Sequence, residues 1–74
     1  MSVEKLERVM WRIRKRNPNN LKITVHELRR AIMYEIGTDP RTYSVSKTAL
    51  TRLGWIKKKG NAHVWLTGND LTGD

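Results

Sequence analysis

Between Asp39 and Gly54 the chain specifies both ends of one helix, and that helix runs directly into a β-hairpin. The Asp39 carboxylate can accept an orphan N–H of the first turn. Pro40 follows at the first helical position, where its fixed φ helps and its missing N–H costs nothing. Gly54, just after Leu53, suits the left-handed residue that closes a helix. Beyond it, a loop with an odd number of residues puts Ile56, Val64 and Leu66 on one face of a hairpin. Trp55, Lys57, His63 and Trp65 then fall on the other. A two-residue Gly60-Asn61 turn would split the aliphatic set across both faces. Register follows the hydrophobic pattern, so the odd loop is expected, with Gly60 supplying positive φ. From Pro40 to Thr67 there are six cations, Arg41, Lys47, Arg52, Lys57, Lys58 and Lys59, and no Asp or Glu.

Upstream, Ser2 can cap a first helix running to about Arg16, with Val3, Leu6, Val9, Met10 and Ile13 as its apolar stripe. Arg8, Arg12, Lys15 and Arg16 lie largely off that stripe. At about 100° per residue Trp11 falls well away from it too, near Arg8 and Lys15. Trp11 is either covered by its neighbours' aliphatic stems or marks a homodimer or partner surface. Asn17 and Pro18 end the helix, and Leu21-Lys22-Ile23 alternates as a short strand would. Thr24-Val25-His26-Glu27 reads as a capping box, opening a second helix with Val25, Leu28, Ala31, Ile32 and Ile36 on one face. Gly37 stops it, and only Thr38 and Asp39 separate Gly37 from Pro40. Two helices joined this tightly are a helix-turn-helix candidate. Residues 1–67 therefore read as one domain, and 68–74, without periodicity, as a flexible, frayed tail.

In the third helix, about residues 40–53 (the alternative is a shorter helix capped by Ser44 after an irregular turn), Tyr43, Ser46, Ala49, Leu50 and Leu53 share the inward face. The opposite face carries Arg41, Ser44, Thr48, Thr51 and Arg52, with Lys47 at one border and Val45 at the other. It holds no large apolar residue and no acid. Short hydroxyls between arginines combine small volume with hydrogen-bonding heads, which suits a surface entering a major groove. A merely solvated face would more often use Glu, Lys and Gln, which are better helix formers. The run Lys57-Lys58-Lys59 could simply blunt an exposed strand edge. Beside such a helix it is better explained as a clamp on phosphates. His26 and His63 read as surface polar residues.

The net charge of +8, from 15 basic and 7 acidic residues, points to a partner rich in phosphate or to an anionic surface. Other classes find little support. With no cysteine, disulfides and thiolate metal sites are excluded. The two histidines are expected on different elements, so no structural metal and no cofactor are expected. No apolar run approaches the roughly 20 residues of a membrane span, and the start lacks the apolar core of a signal peptide. An intracellular, cytoplasmic and nucleoid-associated location is the expectation. Neither histidine has a Ser or Cys constellation and no glycine-rich phosphate loop opens a helix, so catalysis is not expected.

Helix, short strand, capped helix, tight turn, helix and hairpin is the order of an α+β winged helix-turn-helix. The run Gly37-Thr38-Asp39-Pro40-Arg41-Thr42 resembles the turn and recognition-helix start of small archaeal winged-helix DNA-binding proteins, including those of archaeal viruses and plasmids. Leu53-Gly54-Trp55-Ile56 resembles the exit into the wing across the wider superfamily. The resemblance covers roughly residues 3 to 67. It implies that the third helix enters the major groove and that the wing, about residues 57–63, touches adjacent backbone or minor groove. On that likeness Arg41, Thr42, Ser44, Val45 and Thr48 fall on groove-facing positions, flanked by Lys47 and Arg52. Lys57, Lys58, Lys59 and Asn61 fall on the wing, with His63 at its base. Lys47 is a departure, standing where relatives often place an aliphatic core residue.

These readings imply sequence-preferring binding of double-stranded DNA by a small transcription regulator without a small-molecule effector. The alternative is a winged-helix adaptor between proteins, with Trp11, Tyr34, Trp55 and Trp65 as anchors. RNA binding lacks a sheet platform of aromatics. Membrane-surface binding by the first helix lacks a broad apolar face.

Overall fold

The computed structural model describes residues 3–71; Ser2, expected to cap the first helix, lies outside them, as do residues 72–74. The described chain runs α1 (Val3–Arg16), β1 (Lys22–Thr24), α2 (Val25–Glu35), α3 (Pro40–Arg52), β2 (Ile56–Lys59), β3 (His63–Leu66) and a 3-10 turn at Asn69–Leu71. It is a small α+β unit of three helices and a three-stranded antiparallel sheet ordered β1-β3-β2. None of its helices is long and apolar enough to cross a membrane.

The hairpin takes the odd loop. Ile56 pairs with Leu66 and Lys59 with His63, leaving Gly60, Asn61 and Ala62 between the strands, and Gly60 has φ of +68°. Ile56, Val64 and Leu66 are all buried, because alternation carries them to the same side of the sheet. β1 adds to this sheet with Ile23 opposite Val64. The strand begins one residue later than the alternation suggests, at Lys22, although Leu66 N–H already donates to the Leu21 carbonyl at 2.7 Å. Thr24 both ends β1 and caps α2, its hydroxyl accepting from Glu27 N–H at 3.1 Å. The Glu27 carboxylate is turned elsewhere: it accepts from Asn17 Nδ2 at 2.7 Å, fastening the end of α1 to α2.

The helices close the core over the sheet. Leu6, Val9, Met10 and Ile13 of α1, Leu28, Ala31 and Ile32 of α2, and Leu50 of α3 are buried together. Val3 and Leu53, both read as inward-facing, are largely exposed. Each sits at a helix end, where the neighbouring turn no longer covers it. Ser46, the weak point of the α3 stripe, is fully buried. Trp55 stands just before β2, half-buried against the core.

α3 ends as the sequence requires. Trp55 N–H donates to the Leu50 carbonyl at 3.1 Å and Gly54 N–H to the Thr51 carbonyl at 3.0 Å, the two bonds of a Schellman closure, with Gly54 at φ +75°. α2 closes differently. Ile36 and Gly37 N–H both reach the Ile32 carbonyl, and Gly37 is not among the positive-φ glycines.

The described part of the tail is docked, in contrast to the frayed reading. The side chains of Thr67 and Asn69 both donate to the Gly54 carbonyl. Asp70 takes a bidentate pair from Arg14 of α1, at 2.8 and 2.7 Å. Hydrogen bonding to Asp70 raises the Arg14 pKa above its ordinary value, against a loss of hydration that lowers it. Short-range periodicity carries no signal for a contact between residues 56 positions apart.

Gly54→Ala and Gly60→Ala both force an L side chain into the left-handed region, at about 1–2 kcal/mol each. A Cβ on Gly54 would also meet Asn69 Nδ2 at 3.3 Å, whereas one on Gly60 would meet nothing within 4 Å. Thermal unfolding is expected to show the larger loss for Gly54→Ala, with a difference of about 0.5 kcal/mol or more.

Candidate nucleic-acid interface

The cap of α3 sets where its outward surface begins. Asp39 Oδ1 accepts from Arg41 N–H at 2.8 Å, and the Arg41 side chain leaves the first turn into solvent. Ser44, Val45, Thr48, Thr51 and Arg52 follow on the exposed side, while Ser46 and Leu50 are buried opposite. Helix rotation therefore agrees with the periodicity, and Lys47 stands half-buried at the border. Two details modify the surface. Thr42 is half-buried, with its side chain turned toward Gly37, 3.8 Å from where a Cβ there would stand. Thr51 donates its hydroxyl to the Lys47 carbonyl at 2.9 Å, leaving it only as an acceptor.

One edge of this surface abuts α1. Ser44, Val45, Thr48 and Arg52 line a shallow groove with Ala49, Leu53, Val3 and Leu6. The other edge abuts α2 through a stack. The Arg29 guanidinium lies 4.6 Å from the Tyr43 ring centroid and the Lys47 ammonium 5.9 Å from it. The Tyr43 hydroxyl is buried with no hydrogen-bond partner among the described residues. Arg29 was not expected here. In the sequence it is one more polar residue off the α2 stripe, and nothing in the spacing tells that it reaches an aromatic on α3.

The hairpin loop is held close to the same region. Val25 N–H, at the start of α2, donates to the Ala62 carbonyl at 2.9 Å. Thr24, Val25, His26, Arg29 and Ala62 line one concavity. Arg29 thus borders the same concavity as Ala62 of the loop and stacks on Tyr43 beside Lys47. Lys57, Lys58, Lys59 and Asn61 are all exposed, but pairing divides the lysines between two faces. Lys57 and Lys59 share the outer face with Trp65 and His63, whereas Lys58 shares the face of Val64. Lys59 Nζ lies 5.9 Å from the Trp65 ring centroid. His63 is half-buried in the central strand between Lys59 and Thr24, at the base of the loop.

Charge is segregated. Glu35 is paired with Arg12 at 2.8 Å and Asp70 with Arg14 at 2.7 Å, Glu27 binds Asn17, and Asp39 caps α3. None of Arg41, Lys47, Arg52, Lys57, Lys58 and Lys59 forms an ion pair with a described residue. Trp11 lies outside this region, 61% exposed on α1, with Lys15 Nζ 4.8 Å from its ring centroid.

Comparison with protein-family models, with curated proteins and with solved structures finds no match.

Tyr43→Phe keeps the ring between Arg29 and Lys47 and removes a buried hydroxyl that has no partner. An unsatisfied buried polar group costs about 1–3 kcal/mol. The substitution is therefore expected to hold or raise the melting temperature, and a clear drop in thermal unfolding would show that the hydroxyl is bonded.

Proposed function

We propose that the chain is a winged helix-turn-helix that binds double-stranded DNA with sequence preference and acts as a small transcription regulator. The observation that carries this reading is the set of six cations on α3 and the hairpin that form no ion pair with a described residue, in a stretch with no carboxylate, while four of the acids elsewhere serve as caps or pair partners. The order of elements and the β1-β3-β2 sheet agree with that architecture.

In this reading α3 lies in the major groove. Phosphate neutralisation by Lys and Arg supplies most of the affinity through counterion release. Arg29 adds to the cations named from the sequence, and the Tyr43 ring holds its guanidinium in place. Arg41, at the helix N-terminus, takes a guanine edge bidentately, a contact worth about 1–3 kcal/mol of discrimination. Ser44, Thr48 and Arg52 supply further hydrogen bonds, and Val45 contacts a thymine methyl. The hairpin loop is tied to α2 by the Ala62 carbonyl. The β2 lysines that lead into it therefore work as a short clamp on the backbone near α2, fixing register while base edges specify.

A second reading, docking to another protein, draws on Tyr34, 66% exposed on α2 with Arg12 stacked 4.8 Å from its ring centroid. Gel shift with random duplex separates the two, since only a DNA binder retards it.

With six to eight phosphate contacts, affinity for duplex is expected to fall by about 10³–10⁵ between about 50 and 200 mM salt. A flat salt response in fluorescence anisotropy would refute the mechanism. Lys57, Lys58 and Lys59 changed together to Ala should weaken all duplexes alike, whereas Arg41→Ala should weaken a selected site most. Equal effects of both variants on random and selected duplex would remove α3 as the reading element.

A further inference from the structure

The outermost stripe of α1 is Glu4, Arg8, Trp11 and Lys15, at spacings of four, three and four, so all four share one helix face. All are exposed, and none forms an ion pair with a described residue. Trp11 is the large apolar side chain at its centre. Leu71, 68% exposed, lies beside it because Asp70 is clamped to Arg14. Glu4, Glu7, Arg8, Trp11 and Leu71 line a common groove there.

The spacing reads the same in both directions, while the charges at its ends are opposite. A second copy of α1 laid antiparallel, with the two-fold axis between Arg8 and Trp11, brings Glu4 opposite Lys15 and Arg8 opposite Trp11. Each contact then occurs twice, as an isologous interface requires. A parallel arrangement would instead set Glu4 on Glu4 and Lys15 on Lys15. Arg8 over the indole is a cation–π contact, and Lys15 already occupies the same indole within one chain. We infer that α1 is a self-association surface whose occupant is a second copy of this chain, packed antiparallel through this stripe.

This inference does not rest on DNA binding. One helix face with one flanking leucine is small beside the ~800 Å² per partner of a standard interface. The dimer is therefore reversible and salt-sensitive.

The test is sedimentation equilibrium of the full chain over a concentration series at low salt and without DNA. Wild type is expected to move from monomer to dimer. Glu4→Lys and Lys15→Glu, each alone, should raise the dissociation constant about tenfold or more, because two ion pairs become like-charge contacts. An equimolar mixture of the two variants should associate at least as well as wild type, since positions 4 and 15 again face each other with opposite charges at both ends of the interface. Trp11→Ala should abolish association while circular dichroism stays unchanged. A wild type that stays monomeric throughout overturns the inference. So does a mixture no more associated than its components, which would leave any wild-type dimer to another surface. Retardation of duplex by the monomeric variants would be unaffected by either result.

Discussion

The pairing of β1 with β3 is the contact on which the arrangement depends. A two-stranded hairpin is marginal alone, and Ile56, Val64 and Leu66 need a surface to cover them. Ile23 opposite Val64 supplies the third strand, and the helices that flank β1 supply the lid. Because Thr24 is at once the last residue of β1 and the cap of α2, the sheet decides where α2 starts. Val25 N–H then donates to the Ala62 carbonyl, which ties the hairpin loop to the first turn of α2.

That geometry explains why the lysine-rich hairpin is short and tethered. β1 pairs as far as Thr24 with His63, so only the loop of Gly60 to Ala62 extends past it. The same geometry brings Arg29 toward Tyr43 and Lys47. Acids that stabilise the fold engage Arg12, Arg14, Asn17 and the α3 cap, and the cations of α3 and the hairpin form no ion pair with a described residue. A protein using its charges mainly for stability would intersperse them, because like charges repel and opposite ones attract over a Debye length of about 8 Å.

The C-terminal segment has a structural role that its composition hides. Gly54 must turn left-handed to end α3, and its carbonyl then receives the side chains of both Thr67 and Asn69. Arg14 reaches across from α1 to Asp70. The 3-10 turn thus joins the first helix to the corner between α3 and β2, and it leaves Leu71 on the surface next to Trp11.

Local chemistry in the sequence determined the helices and their limits. Asp39-Pro40, Gly54 and Thr24 act within a few residues of themselves, and the odd hairpin loop followed from keeping Ile56, Val64 and Leu66 on one side. The outward residues of α3 were legible for the same reason, since Ser46 and Leu50 set its rotation. Only the tertiary structure decided that Thr42 turns back toward Gly37, that His63 sits in the central strand, that Arg29 joins Tyr43, and that Asp70 finds Arg14. These are contacts between residues far apart in the chain or on neighbouring turns of different elements. A period of 3.6 or 2 says which face a side chain takes, but not what the fold brings against that face.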